Sequence, residues 1–194
     1  MNAFKFFMEG IKRFKEMGTI ARSSRFIGRT MCKYIDFKKA KCIVEIGAGD
    51  GPITKELLKN MSEDCKLICI EINETLVPSL RKQFESDPRI TIIQGDAMKM
   101  EEYIKAAGFE QADHVVSAIP FVIIPEDDII KESKRCMKMG GKYLQLHYSL
   151  IARKRYQRIF GNTEIDFVMR NIPPAFIHIC EKRDEEAYAP EQKK

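Results

Sequence analysis

Short apolar runs alternate with helical patterns from residue 41 onward, and this order constrains the fold more than any other feature of the sequence. Most of the runs are rich in Ile and Val and apolar on both faces, which is typical of strands buried in a parallel sheet. The alternation predicts an α/β protein with an open, doubly wound, mostly parallel sheet that binds ligands at the carboxyl ends of its strands. The predicted strands span residues 41–47, 66–72, 89–96, 113–121 and 142–149, and the predicted helices span 51–60, 74–86, 100–107 and 126–138, the last ending in "MGGK".

Two further apolar segments, 164–172 and 175–182, are separated only by Pro173 and Pro174. No crossover fits between them, so they predict an antiparallel hairpin that completes a seven-stranded sheet. The predicted organisation is a basic helical extension (1–40), a core domain (41–182) and a polar tail (183–194).

Composition narrows the class of protein. The hydrophobic content of 44% and charged content of 31% are typical of a folded globular chain, and no apolar run approaches the roughly 20 residues of a membrane-spanning helix. The six cysteines form no CxxC pair and several lie in apolar runs, which predicts reduced thiols. Because the first residues lack the apolar core of a signal peptide, we expect a cytoplasmic location. His114 and His178 have no ligand spacing with cysteines, so no metal is predicted.

The positive charge is concentrated in residues 1–40, which carry ten basic and three acidic side chains. Apolar residues recur at helical spacing within this segment and predict a basic amphipathic helix; they are Phe4, Phe7, Met8, Ile11 and Phe14. Such a helix either packs on its own domain or rests on an anionic membrane surface. A nucleic-acid backbone is the third partner that a basic stripe suits.

The stretch "IVEIGAGDGPITKELL" joins the first strand to the first helix and carries glycines at 47, 49 and 51. This GxGxG spacing differs from the GxGxxG of dinucleotide-binding folds, and the lysine of a phosphate-binding loop is missing. The bare backbone therefore approaches a ligand that is not chiefly phosphate. The alternative is a tight turn with a purely structural role.

Acidic side chains occur where successive strands end. Glu71 ends the second strand, 20 residues after Gly51, where a carboxylate can bridge two ribose hydroxyls. Asp96 ends the third strand and is placed to accept a hydrogen bond from an adenine amino group, while Ala97 offers a backbone donor. Glu45 lies between apolar neighbours on the first strand, and burial there requires a partner. Each acid alone is explained by structure, but together they predict a nucleoside site.

The motifs "VEIGAGDG", "CIEIN" and "IQGDA" resemble, in order and spacing, those of the class I S-adenosylmethionine-dependent methyltransferases. This resemblance implies a Rossmann-like methyltransferase fold with S-adenosyl-L-methionine as the cofactor. It implies that the glycine loop lines the methionine and ribose, that Glu71 holds the ribose, that Asp96 and Ala97 contact adenine, and that Glu45 orients the amino-acid end. The full set of implied cofactor contacts in the core domain is Glu45, Gly47, Ala48, Gly49, Gly51, Glu71, Ile72, Asp96, Ala97 and Ser117.

Four other stretches, "GTIARSS", "SAIPF", "LHYSLIA" and "RNIPPAFIHICEK", resemble the small bacterial phospholipid N-methyltransferases that methylate phosphatidylethanolamine. In that family the first of these stretches closes over the cofactor, which adds Thr19, Ser23 and Ser24 to the implied contacts. The resemblance implies an aminophospholipid substrate and a peripheral position on an anionic membrane surface at the inner face of the membrane. It implies no obligatory protein partner.

Two alternatives remain open. "SAIPF" and the cofactor motifs also resemble the rRNA adenine N6-dimethyltransferases, but Ser117 stands where those enzymes usually carry Asn or Asp, and Val122 stands where they carry a second aromatic residue. Nucleic acid is therefore the less favoured substrate. A protein of the same fold that binds the cofactor without catalysis is the other alternative.

His147 and Tyr148 end the fifth predicted strand, on the rim where substrate meets cofactor. An ethanolamine head group is mostly ammonium at neutral pH, so a proton acceptor or a desolvating pocket is needed. Tyr148 and Phe121 are candidates to stabilise a methylated ammonium by cation–π contact, or else they pack in the core. His147 is either a structural residue or the acceptor. The basic residues Arg153, Lys154, Arg155 and Arg158 either grip a lipid phosphate or solvate a helix.

Overall fold

The computed structural model describes residues 19–119, 126–169 and 174–184, and its seven strands form one sheet in the order β3-β2-β1-β4-β5-β7-β6. Strands β1 to β5 are parallel, whereas β7 runs antiparallel to β5 and β6. The predicted doubly wound sheet with a C-terminal hairpin is confirmed. The strands are β1 Cys42–Ile46, β2 Lys66–Glu71, β3 Ile90–Gln94, β4 Ala112–Ser117, β5 Met137–His147, β6 Glu164–Val168 and β7 Ala175–Glu181.

Helices cover both faces of the sheet, as the apolar runs require. One core joins α1, α2 and α3 to one face, and a second joins α4, α5 and α6 to the other. Strand β1 is buried along its whole length, with Ile43 in the first core and Val44 in the second. The helices are α1 Thr19–Cys32, α2 Pro52–Asn60, α3 Val77–Phe84, α4 Met100–Ala106, α5 Glu126–Cys136 and α6 Arg153–Phe160, and a 3₁₀ turn spans Ala97–Lys99.

The glycine pair of "MGGK" lies inside β5, so the prediction that it ends the preceding helix is wrong. Helix α5 ends at Cys136, because Met137 already pairs with Ala112 in the sheet. The register then shifts by several residues, and a Cβ on Gly141 would lie 2.5 Å from the Asp113 carbonyl oxygen. Only glycine fits this irregularity, so the pair serves strand pairing.

Helix α1 packs closely along α2. A Cβ on Gly28 would lie 3.1 Å from the Glu56 side chain, and Glu56 is paired with Arg25, Arg29 and Lys59. The end of α1 lies beside the end of α2, and the chain then enters β1 at the amino edge of the sheet. At about 1.5 Å per residue, 14 helical residues span the length of the strands, so the first turns of α1 lie at the carboxyl edge.

Several sequence predictions fall outside the described residues. These are the amphipathic pattern of residues 4–14, the segment 120–125 with Phe121, and the tail beyond residue 184. Within the described residues, no helix is long and apolar enough to cross a bilayer. All six cysteines are free thiols.

Candidate functional site

The glycine loop between β1 and α2 lies at the carboxyl edge of the sheet, and its glycines at 47, 49 and 51 all have positive φ. Two of them serve different purposes. A Cβ on Gly51 would lie 2.7 Å from Phe84 Cε2 and 2.9 Å from Leu80 Cδ1, so core side chains leave no room for a side chain at this position. A Cβ on Gly49 would have no atom within 4 Å, so this position faces open space. Gly49 is therefore the glycine beside which a ligand fits.

Glu71, at the end of β2, holds this loop. Its Oε2 accepts a hydrogen bond from the Gly49 N–H at 2.8 Å, and its Oε1 accepts one from the Asn73 N–H at 2.9 Å. The carboxylate is buried, so hydrogen bonds to it are charge-assisted and strong. The structure thus brings Glu71 to the glycine loop, and its contact with a ribose stays a prediction.

Glu45 is fully buried on β1 beside this loop. Its Oε2 accepts a hydrogen bond from the Thr54 hydroxyl at 2.7 Å, whereas Oε1 has no hydrogen-bond partner among the described residues. Burial raises the pKa of Glu45 to about 7, the bonds from Thr54 oppose this rise, and the negative charge of Glu71 adds to it. The unpaired Oε1 is a buried acceptor that suits a cationic or hydrogen-bonding ligand group.

Replacing Glu45 with glutamine is expected to remove a loss of stability that occurs as the pH rises from about 4.5 to 7. Between about pH 4.5 and 7 the folded protein holds a proton on Glu45 that the unfolded chain has released, so raising the pH through this window lowers the free energy of unfolding. Glutamine at position 45 does not titrate, so Glu45→Gln removes this pH-dependent contribution while keeping an acceptor for Thr54. Urea denaturation of the cofactor-free protein at pH 5 and pH 8 measures both slopes. Equal slopes in the two proteins would contradict the burial effect.

The end of β3 is joined to the same edge. The Gly95 N–H donates to the Glu71 carbonyl at 3.1 Å, and the Asp96 carboxylate accepts a hydrogen bond from the Met98 N–H at 2.9 Å. Asp96 therefore caps the 3₁₀ turn, and Ala97 behind it is buried. Ile72, next to Glu71, is 70% exposed at this edge. The contacts of Asp96, Ala97 and Ile72 with a cofactor remain predictions.

The turn after β4 is fixed by a polar network that the sequence analysis did not identify. Gln145 Nε2 donates to the Ile119 carbonyl at 3.1 Å, and the Tyr143 hydroxyl donates to Gln145 Oε1 at 2.6 Å. Ser117 is fully buried in the same region, and a Cβ on Gly47 would lie 2.9 Å from Ile119 Cγ1. The alternation of polar side chains in "KYLQLHYS" is the signal that one face of β5 is polar. This network fixes the position of Ile119, the last described residue before the gap at 120–125.

His147 continues the polar face of β5. Its Nε2 lies 2.7 Å from the Tyr156 hydroxyl, and its ring lies 5.2 Å from that of His178. Burial lowers the pKa of His147 to about 4, so the ring is neutral at pH 7. Tyr148, the next residue, is nearly half exposed at the carboxyl edge. The structure thus separates the two predicted catalytic residues into a partly buried ring and an exposed one.

The remaining predicted contacts lie in α1. Thr19, Ser23 and Ser24 belong to its first turns, at the carboxyl edge, and their side chains lie outside the described set. In the described ranges, no group of three His, Cys, Asp or Glu residues is arranged to hold a metal ion. The His114 ring instead accepts a hydrogen bond from the Lys142 N–H at 3.2 Å.

A sheet of this strand order, with a glycine loop after β1 held by an acid at the end of β2, defines a class I S-adenosylmethionine-dependent methyltransferase. Comparison with known proteins agrees. Residues 23–131 match the model of the ribosomal RNA adenine dimethylase family. The chain belongs to this family, and its cofactor is S-adenosyl-L-methionine, as the sequence predicts.

Individual relatives differ in how much of the chain they match. The ornithine lipid N-methyltransferase of Singulisphaera acidiphila is 30% identical over 91% of this chain and 92% of that enzyme. The ribosomal RNA small subunit methyltransferase A of Thermotoga petrophila is 31% identical over 69% of this chain and 49% of that enzyme. This chain therefore spans about half the length of the ribosomal relative.

Solved structures support the fold. An S-adenosylmethionine-dependent methyltransferase of Methanococcus maripaludis superposes with a TM-score of 0.67 at 18% identity, covering 93% of this chain and 94% of that one. The precorrin-6y C5,15-methyltransferase of Geobacter metallireducens superposes with a TM-score of 0.64 at 14% identity, covering 80% and 87%. At such identities the likeness concerns the fold alone.

The residues around the glycine loop fit the cofactor. Gly49 borders open space, the Glu71 carboxylate accepts a hydrogen bond from the Gly49 N–H, and Glu45 Oε1 is a buried acceptor without a partner among the described residues. A ligand with several hydroxyl and amine donors matches two carboxylates and a bare backbone.

Proposed function

We propose that this protein transfers a methyl group to the amine of an aminolipid, either phosphatidylethanolamine or an amino-acid lipid such as ornithine lipid, at a membrane surface. The observation that carries the proposal is the extent of the match to the ornithine lipid enzyme, which covers 91% of the chain. That match extends beyond the residues 23–131 that the family model shares with ribosomal enzymes. The match to the lipid enzyme therefore includes β5 to β7, the elements that we assign to the substrate side.

The cofactor side of the proposal assigns a role to each loop residue. Glu71 accepts hydrogen bonds from the ribose hydroxyls while it holds the Gly49 amide. Glu45 accepts a hydrogen bond from the amino-acid end through Oε1, which lacks a partner among the described residues. When bound, S-adenosyl-L-methionine supplies an electrophilic methyl group, whose bond to sulfur breaks as its bond to the substrate nitrogen forms. The protein contributes mainly by positioning, which is worth several kcal/mol in such reactions (~7 or more).

The substrate side depends on the end of β5. The amine must be neutral to attack, and the positive charge that follows needs an aromatic face. Tyr148 is exposed at the carboxyl edge and is the proposed cation–π partner, a contribution of roughly 0.5–2 kcal/mol. His147 is neutral and bonded to the Tyr156 hydroxyl, and we assign it the role of orienting the strand end on which Tyr148 lies. Phe121 stays a candidate for a second aromatic face.

An rRNA adenine N6-methyltransferase is the second candidate, because the family model and several relatives carry that description. The family model covers residues 23–131, and the Thermotoga petrophila enzyme matches 69% of this chain, against 91% for the lipid enzyme. The two candidates therefore share a cofactor site and differ in the acceptor.

A methyl-transfer assay with labelled cofactor separates these candidates. We expect label in phosphatidylethanolamine or ornithine lipid presented in vesicles, and none in ribosomal RNA or in vesicles of phosphatidylcholine, whose nitrogen is already quaternary. Mass spectrometry of the lipids identifies the acceptor and the number of methyl groups. Label in rRNA alone would replace the proposal by the second candidate, and cofactor binding without label in any acceptor would favour a binding protein.

A further inference from the structure

Exposed apolar side chains are concentrated at one edge of the molecule. Of the eight large apolar side chains that are exposed in the described residues, seven follow or end strands at the carboxyl edge of the sheet. The eighth, Met139, lies at the opposite edge near the start of β5. A concentration of exposed apolar side chains usually marks a surface that contacts another protein, a membrane or a ligand. The carboxyl edge is also where the cofactor loop opens.

Five of the seven side chains lie at or just after the ends of β5 and β6, and we call these five the apolar rim. The sheet register explains the grouping, because β5, β7 and β6 are neighbours and all end or begin at this edge. Val168 on β6 pairs with Ala175 on β7, and His147 on β5 pairs with Phe176 on β7. At about 4.8 Å per strand, the ends of β5 and β6 are about 10 Å apart. The rim consists of Tyr148, Leu150, Ile151, Phe167 and Met169.

Cations flank the rim. Arg153 and Lys154 follow it directly at the start of α6, are exposed, and have no ion pair among the described residues. The two other basic residues of α6, Arg155 and Arg158, are instead paired with Asp127. No acidic residue occurs between Tyr148 and Lys154. An apolar surface bordered by unpaired cations matches an anionic lipid monolayer, where apolar groups enter the acyl boundary and cations meet lipid phosphate.

We propose that the apolar rim inserts into an anionic membrane, so that the mouth of the cofactor site faces the bilayer. The inference rests on the proposed function, because it lets the head group of a lipid reach the cofactor edge while its acyl chains stay in the membrane. Ile151, which is 90% exposed, and Met169, which is 74% exposed, are the deepest members. The membrane contact is thus made by the core domain, independently of the first 18 residues.

The absence of tryptophan from the chain allows a direct test. Ile151→Trp introduces one fluorophore in the rim, and Met139→Trp introduces one at an exposed apolar position on the opposite edge. With vesicles of phosphatidylglycerol and phosphatidylcholine, the emission of Ile151→Trp is expected to shift to shorter wavelength and to be quenched by brominated acyl chains. The emission of Met139→Trp is expected to stay unchanged. An unshifted Ile151→Trp in the presence of bound vesicles would overturn the proposal.

A second pair of variants measures the contribution to binding. Leu150→Asp with Ile151→Asp is expected to weaken vesicle binding roughly tenfold or more, because two inserted apolar groups are replaced by charges, while Met139→Asp has little effect. Cofactor affinity and melting temperature serve as checks of folding. If the rim instead joined two copies of the chain, the aspartate variant would abolish a dimer in gel filtration and leave vesicle binding intact. If residues 1–18 covered the rim, the variant would lower the melting temperature without changing vesicle binding.

The outcome for the rim is separable from the outcome for the proposed function. Dihexanoyl phosphatidylethanolamine dissolves as monomers, so its methylation does not require a membrane. If the rim variant loses methylation of vesicle lipid but retains methylation of the monomer, both proposals stand. If the wild-type protein methylates neither form of the lipid while the rim variant loses vesicle binding, the rim is supported and the proposed function is contradicted. Wild-type vesicle binding in the variant contradicts the rim alone.

Discussion

Replacing Glu71 with alanine is expected to weaken S-adenosyl-L-methionine binding about 100-fold, which corresponds to about 2.7 kcal/mol. The variant loses the carboxylate that holds the Gly49 amide at 2.8 Å and the Asn73 amide at 2.9 Å, and with it the proposed acceptor for the ribose. Hydrogen bonds to a charged group contribute about 1.5–3 kcal/mol each, and two partly buried amides lose their acceptor. Isothermal titration calorimetry measures the loss.

Two further variants separate the charge from the position. Glu71→Gln keeps one acceptor oxygen and is expected to bind with intermediate affinity. Glu74→Ala removes a carboxylate that is exposed in the same loop and is expected to bind as the wild type does. An unchanged affinity in Glu71→Ala would show that Glu71 does not contribute to cofactor binding, even though it contacts the glycine loop.

Replacing Gly51 with alanine is expected to lower the free energy of unfolding by roughly 2–5 kcal/mol. A left-handed backbone costs a residue with a Cβ about 1–2 kcal/mol, and overpacking a core costs about 1–3 kcal/mol more. Both apply here, because φ is +80° and the new methyl would lie 2.7 Å from the Phe84 ring and 2.9 Å from Leu80. Denaturant unfolding measures the change.

Gly49→Ala is the matched control, since φ is also positive but no atom lies within 4 Å of the new methyl. It is expected to lose only the backbone part, about 1–2 kcal/mol, while its methyl group enters the space assigned to the cofactor. Gly51→Ala should therefore have the lower free energy of unfolding of the two variants, whereas Gly49→Ala should have the lower cofactor affinity. Equal losses of stability would contradict the packing of Gly51 against α3.

Local sequence patterns were sufficient to predict the strands of this fold and its C-terminal hairpin. The apolar runs marked all seven strands, although β5 begins five residues before its predicted start, and the two prolines of 173–174 marked the hairpin, because burial on both faces and the loss of a backbone donor leave signals in adjacent residues. The pairing of the glycine loop with Glu71 was also predictable, since both end strands that the order of elements makes parallel neighbours.

Other features depend on contacts between residues that are distant in sequence. The end of α5 was misplaced, because the bulge opposite Asp113 is set by sheet register and not by the glycine pair itself. The bond from Gln145 to the Ile119 carbonyl joins β5 to the turn after β4, and the contact of Gly51 with Phe84 joins the glycine loop to α3.

By itself, the sequence determined the class of fold, the order of its elements and the residue types at the cofactor edge, because hydrophobic periodicity and turn chemistry act over a few residues. Only the tertiary structure decided which of those residues are buried, which glycine faces ligand space, and that Ile151 and Met169 share one edge. These outcomes depend on strand register and strand order, which bring together side chains that no local pattern relates.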